Sequence, residues 1–170
     1  MTVLDVIRER GSVREYEDRL VPDDVMQQVF EAARLAQSAG NRQPWEFIVV
    51  REKDLKNKLA SSFVGEAPVV IVCVAHPENC GHVGTLDSYL VDIAIAVENM
   101  ALVSWELGLG SCWIGAYDEN KIKRLLGIPE NLRVVSLLTM GYPAEKPPNQ
   151  IVRQRRKPST QIIHYEKYVK

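Results

Sequence analysis

Two groups of basic side chains stand out as able to do chemistry. Arg8, Arg10 and Arg14 lie near one end of the chain, and Arg153, Arg155, Arg156 and Lys157 near the other. Either group alone reads as a solvated charge run. The termini of one domain commonly lie close together. Two such clusters that converge, with Ser12 beside them, would make a phosphate clamp, because guanidinium groups fork onto phosphate oxygens. Net charge is −1, so no global basic field invites nucleic acid, and a single phosphorylated ligand is the better expectation.

Other candidates are weaker. His76, Cys80 and His82, with Glu78 nearby, lack the paired close spacings of a zinc site, so a solvated loop is preferred and no metal is expected. Gly108-Leu109-Gly110 resembles the start of a dinucleotide fingerprint. It follows a helix and precedes a strand, the reverse of the order that aims a helix N-terminus at a pyrophosphate. Cys73 and Cys112 lie in apolar strands and read as core. Three cysteines make no disulfide framework, and no secretory signal is read at the N-terminus, so a reducing cytoplasm is expected.

The elements that must position these residues are organised around 86–107. This stretch lacks Gly and Pro and is apolar nearly all round, which predicts a helix buried on most sides, as one shared between two subunits would be. Asp92, Glu98, Asn99 and Glu106 argue against a membrane span, since an acid at mid-bilayer costs roughly 2.5 to 3.5 kcal/mol. Gly108 and Gly110 then end it. A short helix is expected at 2–10 with Thr2 as N-cap, followed by extended chain through 12–16, since no apolar helical run follows Ser12 and Glu15. Pro22 suits the first position of a second helix, with Val25, Val29, Phe30, Ala33 and Ala36 inward, and 38–44 is a loop by composition. Strands are expected at 45–51, 69–75, 111–116 and 132–140. Helices are expected at 52–63 and 118–126, with a loop at 76–84. The run 69–75, VVIVCVA, reads as a strand buried on both faces. With 46% hydrophobic and 25% charged residues, 170 residues suit one domain with a layered α/β or α+β core.

Taken in order, Arg10-Gly11-Ser12-Val13-Arg14, Gly40-Asn41-Arg42-Gln43-Pro44-Trp45, Gly108-Leu-Gly-Ser-Cys-Trp-Ile-Gly115, Gly141-Tyr142-Pro143 and Arg156-Lys157-Pro158 resemble the FMN-dependent nitroreductase family in its short form. The resemblance spans nearly the whole chain. It implies an α+β fold, a three-layer α/β/α arrangement whose central, mostly antiparallel sheet is flanked by helices. It also implies an intertwined homodimer with FMN at the interface. Residues 1–170 would form one FMN-binding domain, with 150–170 as a C-terminal arm. The implied activity is an FMN-dependent oxidoreductase that takes hydride from NAD(P)H to flavin N5. Electrons then pass to a nitroaromatic, quinone or similar acceptor in a ping-pong cycle. A flavin-binding or sensing module, or a dehalogenase or oxidase of the same fold, is the alternative.

By resemblance, Arg10, Ser12 and Arg156 hold the FMN phosphate or ribityl chain within the motif that includes Gly11 and Val13, with Arg155 as a helper. Arg14 matches the cation at the flavin pyrimidine edge. Ser38, Gly40, Asn41 and Gln43 match the loop that reaches the flavin from the other subunit. Ile114 and Gly115 match the turn whose backbone N–H approaches N5. No protein side chain is expected as acid or base. The chain departs from the family at Gly11, where a second Arg is usual, and at Gln37, often Pro. It departs also at 76–84, which replaces a longer helical lid and implies an open site.

Overall fold

The computed structural model describes residues 1–60, 62–145 and 156–168. Its centre is β2 (Val69–Ala75), every residue of which is buried. Val69, Ile71, Cys73 and Ala75 enter one core, and Val70, Val72 and Val74 enter a second on the opposite face. A strand with period-two side chains and no polar residue can only sit between two packed layers. β2 pairs antiparallel with β1 (Trp45–Val50) on one side and β6 (Arg133–Gly141) on the other. β5 (Gly110–Ile114) completes an antiparallel sheet of order β1-β2-β6-β5.

One layer consists of α2 (Asp23–Arg34) and α5 (Tyr89–Glu106), with Ile93, Ala96, Val97 and Met100 fully buried against the sheet. The other carries α3 (Lys53–Leu59), α4 (Ser62–Glu66) and α6 (Glu119–Leu126). The chain is therefore the α+β, three-layer arrangement expected. α1 (Val3–Glu9) lies against α5. Its N-cap Thr2 forms a capping box with Asp5: Thr2 Oγ1 accepts from the Asp5 N–H at 3.2 Å, and Asp5 Oδ2 accepts from the Thr2 N–H at 3.0 Å. Asp118 caps α6 by accepting from Lys121 N–H at 3.0 Å. α5 ends in a Schellman motif: Leu109 N–H reaches Ser104 C=O, Gly108 N–H reaches Trp105 C=O, and Gly108 takes a φ of 80°.

Several boundaries differ from expectation. Pro22 is the N-cap of α2 rather than its first residue. The single helix expected over 52–63 is broken: Ala60 is extended (φ −155°, ψ −152°) and separates α3 from α4. The buried Lys56 donates its ammonium to the carbonyls of Ala67 and Pro68, tying α3 to the chain entering β2. The stretch 76–84 is not simple loop. It holds a 3-10 turn, Pro77–Asn79, and the start of a hairpin of β3 (His82–Val83) and β4 (Leu86–Asp87), so α5 begins at Tyr89 rather than at 86. The strands expected at 45–51, 111–116 and 132–140 are observed at 45–50, 110–114 and 133–141. Among the described residues no helix is long and apolar enough to cross a membrane.

Candidate functional site

The chain leaving α1 is held against β5 and β6 between Ser12 and Tyr16. Arg10 is the C-cap of α1 and its N–H bonds Val6 C=O at 2.8 Å. Ser12 forms a parallel bridge with Ser111, and Val13 N–H donates to Ser111 C=O at 2.9 Å. Tyr16 closes the far end: its hydroxyl donates to Val13 C=O at 2.7 Å and lies 2.7 Å from Thr139 Oγ1. Gly110 lets the two chains meet, since a Cβ there would stand 2.5–2.9 Å from the side chain of Val13. Burial pushes the Tyr16 hydroxyl well above its ordinary range, so it stays a neutral strut.

This pinning decides what segment 10–14 offers. Gly11 and Val13 are buried, and both backbone groups of Val13 are engaged, so Val13 positions its neighbours. Ser12 and Arg14 are exposed, with the Arg14 guanidinium 6.0 Å above the ring of Phe63. The Arg10 side chain is 32% exposed and donates through Nε to Glu98 Oε1 at 3.1 Å. A hydroxyl and two guanidinium groups thus line one short extended segment, a donor set suited to a phosphorylated ligand.

The second candidate loop is anchored elsewhere. Gly40, Asn41 and Gln43 take φ values of 60°, 54° and 50°. Asn tolerates this region; Gln before Pro44 does so rarely. Ser38 Oγ accepts from Gln43 N–H at 2.9 Å, and Gln43 Nε2 donates to the Asn41 side chain at 3.2 Å. Ala39 N–H donates to Asp92 Oδ1 at 3.0 Å. Asp92 and Glu98 are six residues apart on α5, which is about 9 Å of helix rise. The structure therefore gathers Arg10, Ser12 and Arg14 at one station and Ser38, Gly40, Asn41 and Gln43 at another. Ile114, buried, ends β5, and exposed Gly115 follows with open space where a Cβ would stand. Arg156 is exposed. Arg153 and Arg155 lie outside the described residues.

His76 pairs with Glu46 (Nε2–Oε1 3.1 Å) and His82 lies 3.5 Å from Asp87. Among the described residues no group of three His, Cys, Asp or Glu side chains is arranged to hold a metal. Sequence reasoning missed Tyr16, Ser88 and the anchoring role of Asp92. The signal for Asp92 was an acid in an otherwise apolar helical turn.

The model of the family described as the Nitroreductase family matches residues 7–79 and 56–142. A relative from Archaeoglobus fulgidus, provisionally named NADH dehydrogenase/NAD(P)H nitroreductase, is 36% identical over 174 residues, covering 97% of this chain and 98% of that protein. The crystal structure of a nitroreductase family protein from Clostridium difficile 630 superposes with a TM-score of 0.91 at 28% identity, covering 99% of this chain and 100% of that one. An FMN-dependent nitroreductase from Clostridium difficile R20291 superposes with a TM-score of 0.81 at 26% identity, covering 97% and 99%.

Proposed function

Since this chain belongs to the Nitroreductase family, we propose that it is an FMN-dependent NAD(P)H oxidoreductase acting as a homodimer. The observation that carries the reading is segment 10–14, pinned along β5 with Ser12 and Arg14 accessible and Arg10 partly so. Bound FMN would supply the redox chemistry, taking hydride at N5 from NAD(P)H and returning electrons to a nitroaromatic, quinone or similar acceptor in a ping-pong cycle. Arg10, Ser12 and Arg156 bind the phosphate end. Arg14 would set its positive charge beside the flavin ring, where a cation would favour the more negative reduced state. Ile114 and Gly115 offer backbone N–H groups to the ring. Ser38, Gly40, Asn41 and Gln43 close the site from a second copy, consistent with their separate anchorage on α5.

Exposed apolar residues support the pairing of two copies. Val3, Leu4 and Ile7 on α1, Leu90 and Val91 on α5, and Ile162 and Ile163 near the C-terminus are all more than 40% exposed in the single chain. On this reading residues 1–170 form one FMN-binding domain with 150–170 as a C-terminal arm, of which 150–155, 169 and 170 lie outside the described residues. The brief 76–84 connection leaves the flavin face open, which favours a broad range of acceptors. The three free cysteines suit a reducing compartment such as the cytoplasm.

Anaerobic addition of NADH or NADPH to the FMN-loaded protein tests the activity. Loss of the oxidised-flavin absorbance, restored by a quinone or nitroaromatic, is expected. Persistence of the absorbance with both nucleotides overturns the reading.

A further inference from the structure

Asp92 is 2% exposed and Ser88 fully buried, and neither is explained by packing alone. A buried carboxylate is costly unless hydrogen bonds hold it. Asp92 Oδ1 accepts the N–H of Ala39 at 3.0 Å, and Oδ2 accepts the hydroxyl of Ser88 at 2.8 Å. Ser88 Oγ in turn accepts the N–H of Gly81 at 3.0 Å. One carboxylate thus ties two segments that approach from different directions: the loop after α2 and the connection after β2. The same two segments meet again directly. Asn79 Nδ2 donates to Arg42 C=O at 3.2 Å, and His76 N–H donates to Pro44 C=O at 3.0 Å. A Cβ on Gly81 would stand 3.1 Å from the Cβ of Ala39, so the two chains are in contact at the point where Asp92 joins them.

The loop so tied is strained. Gln43, immediately before Pro44, holds a left-handed backbone conformation with φ of 50°, and for such a residue that conformation persists only where the surroundings over-determine it. Asn41 and Gln43 are exposed, and their presentation follows from where Ala39 is fixed. We propose that Asp92, acting with Ser88, is a positioning residue that locks loop 38–43 to connection 76–81 as one wall of the flavin site. The proposal rests on the flavin reading above. It makes the brief connection a fixed brace rather than a shortened lid, so access to the flavin face requires no closure of this segment.

The test compares wild type with Asp92→Ala, Asp92→Asn and Ser88→Ala below their melting temperatures, with folding checked by circular dichroism. Amide exchange by NMR reads the brace in the absence of flavin; FMN titration and steady-state kinetics read its use. In Asp92→Ala, Ala39 is expected to exchange about tenfold faster and FMN to bind about tenfold more weakly. Asp92→Asn, whose amide oxygen can still accept from Ala39, restores most of both. Ser88→Ala keeps the Ala39 bond and frees Gly81, raising KM for NAD(P)H severalfold with kcat held. A folded Asp92→Ala with wild-type exchange at Ala39 and wild-type FMN affinity overturns the proposal. If Asp92→Ala does not fold, wild-type Gly81 exchange and KM in Ser88→Ala overturn it. Wild-type protein that takes up no FMN overturns the flavin reading and the proposal together, whereas normal uptake with unaffected variants overturns the proposal alone.

Discussion

Replacing Gly110 by Ala tests how segment 10–14 is held. The new Cβ would lie 2.5 Å from Val13 Cγ2, 2.7 Å from its Cβ and 2.9 Å from its Cγ1. Rotating Val13 relieves the two methyl contacts but cannot move its own Cβ, so the backbone of segment 10–14 must lift from β5. Lifting breaks the Val13 N–H to Ser111 C=O bond. Overpacking of this kind costs about 1–3 kcal/mol and the lost bond about 1 more, giving about 2–4 kcal/mol in all. For a domain of this length that lowers Tm by about 5–15 °C. Differential scanning calorimetry of the apoprotein reads the stability loss, and FMN titration below the melting range reads the displaced ligands as weaker binding. Adding Val13→Ala removes the contacts at 2.5 and 2.9 Å and leaves that at 2.7 Å, so the double variant should recover only part of the loss. A Gly110→Ala protein with parental Tm and parental FMN affinity would refute the pinning of segment 10–14 against β5.

Glu119 accepts two hydrogen bonds from the Arg133 guanidinium, at 2.9 and 3.1 Å, and one from Val134 N–H at 3.0 Å. The Arg133 bonds hold its carboxyl below the usual carboxylate range. Because the folded value is the lower one, its contribution is present above the ordinary carboxylate pKa and is lost as pH falls through the depressed value. Denaturant melts of Glu119→Gln should therefore show a deficit at neutral pH that shrinks on acidification; a deficit independent of pH would contradict this. Burial pushes the Cys73 thiol up to about 12, and Cys112 is also buried, whereas Cys80 is partly exposed. Mass spectrometry after brief alkylation of the native protein should find Cys80 modified first, with Cys73 and Cys112 reacting only on unfolding; early modification of Cys73 would be the contrary result.

What the sequence made legible follows its local signals. VVIVCVA could only be a strand covered on both faces, and β2 runs over those seven residues. Asp118 and Gly127 bracket α6, one as N-cap and the other in the left-handed conformation at its end. The hairpin before α5 was missed although Gly84 and Thr85 form a two-residue turn with a glycine at positive φ; the apolar Leu86 and Leu90 disguised it as helix. The break at Ala60 carries no Gly or Pro. It is set by long-range contacts, with Leu59 buried in the core and Lys56 reaching the carbonyls of Ala67 and Pro68. The candidate site was legible as motifs, while the struts beneath it were not. Tyr16 acts through Thr139, and Asp92 through Ala39 and Ser88, partners distant in sequence for Thr139 and Ala39 that only folding brings near.

The central claim is that guanidinium and hydroxyl groups of this chain hold the phosphate of a flavin mononucleotide. Calorimetric titration of the apoprotein with FMN and, separately, with riboflavin isolates that phosphate. Two charge-assisted contacts worth about 1.5 kcal/mol or more each predict that FMN binds at least about 100-fold more tightly. Equal affinity for the two ligands, or binding of neither, would contradict the account.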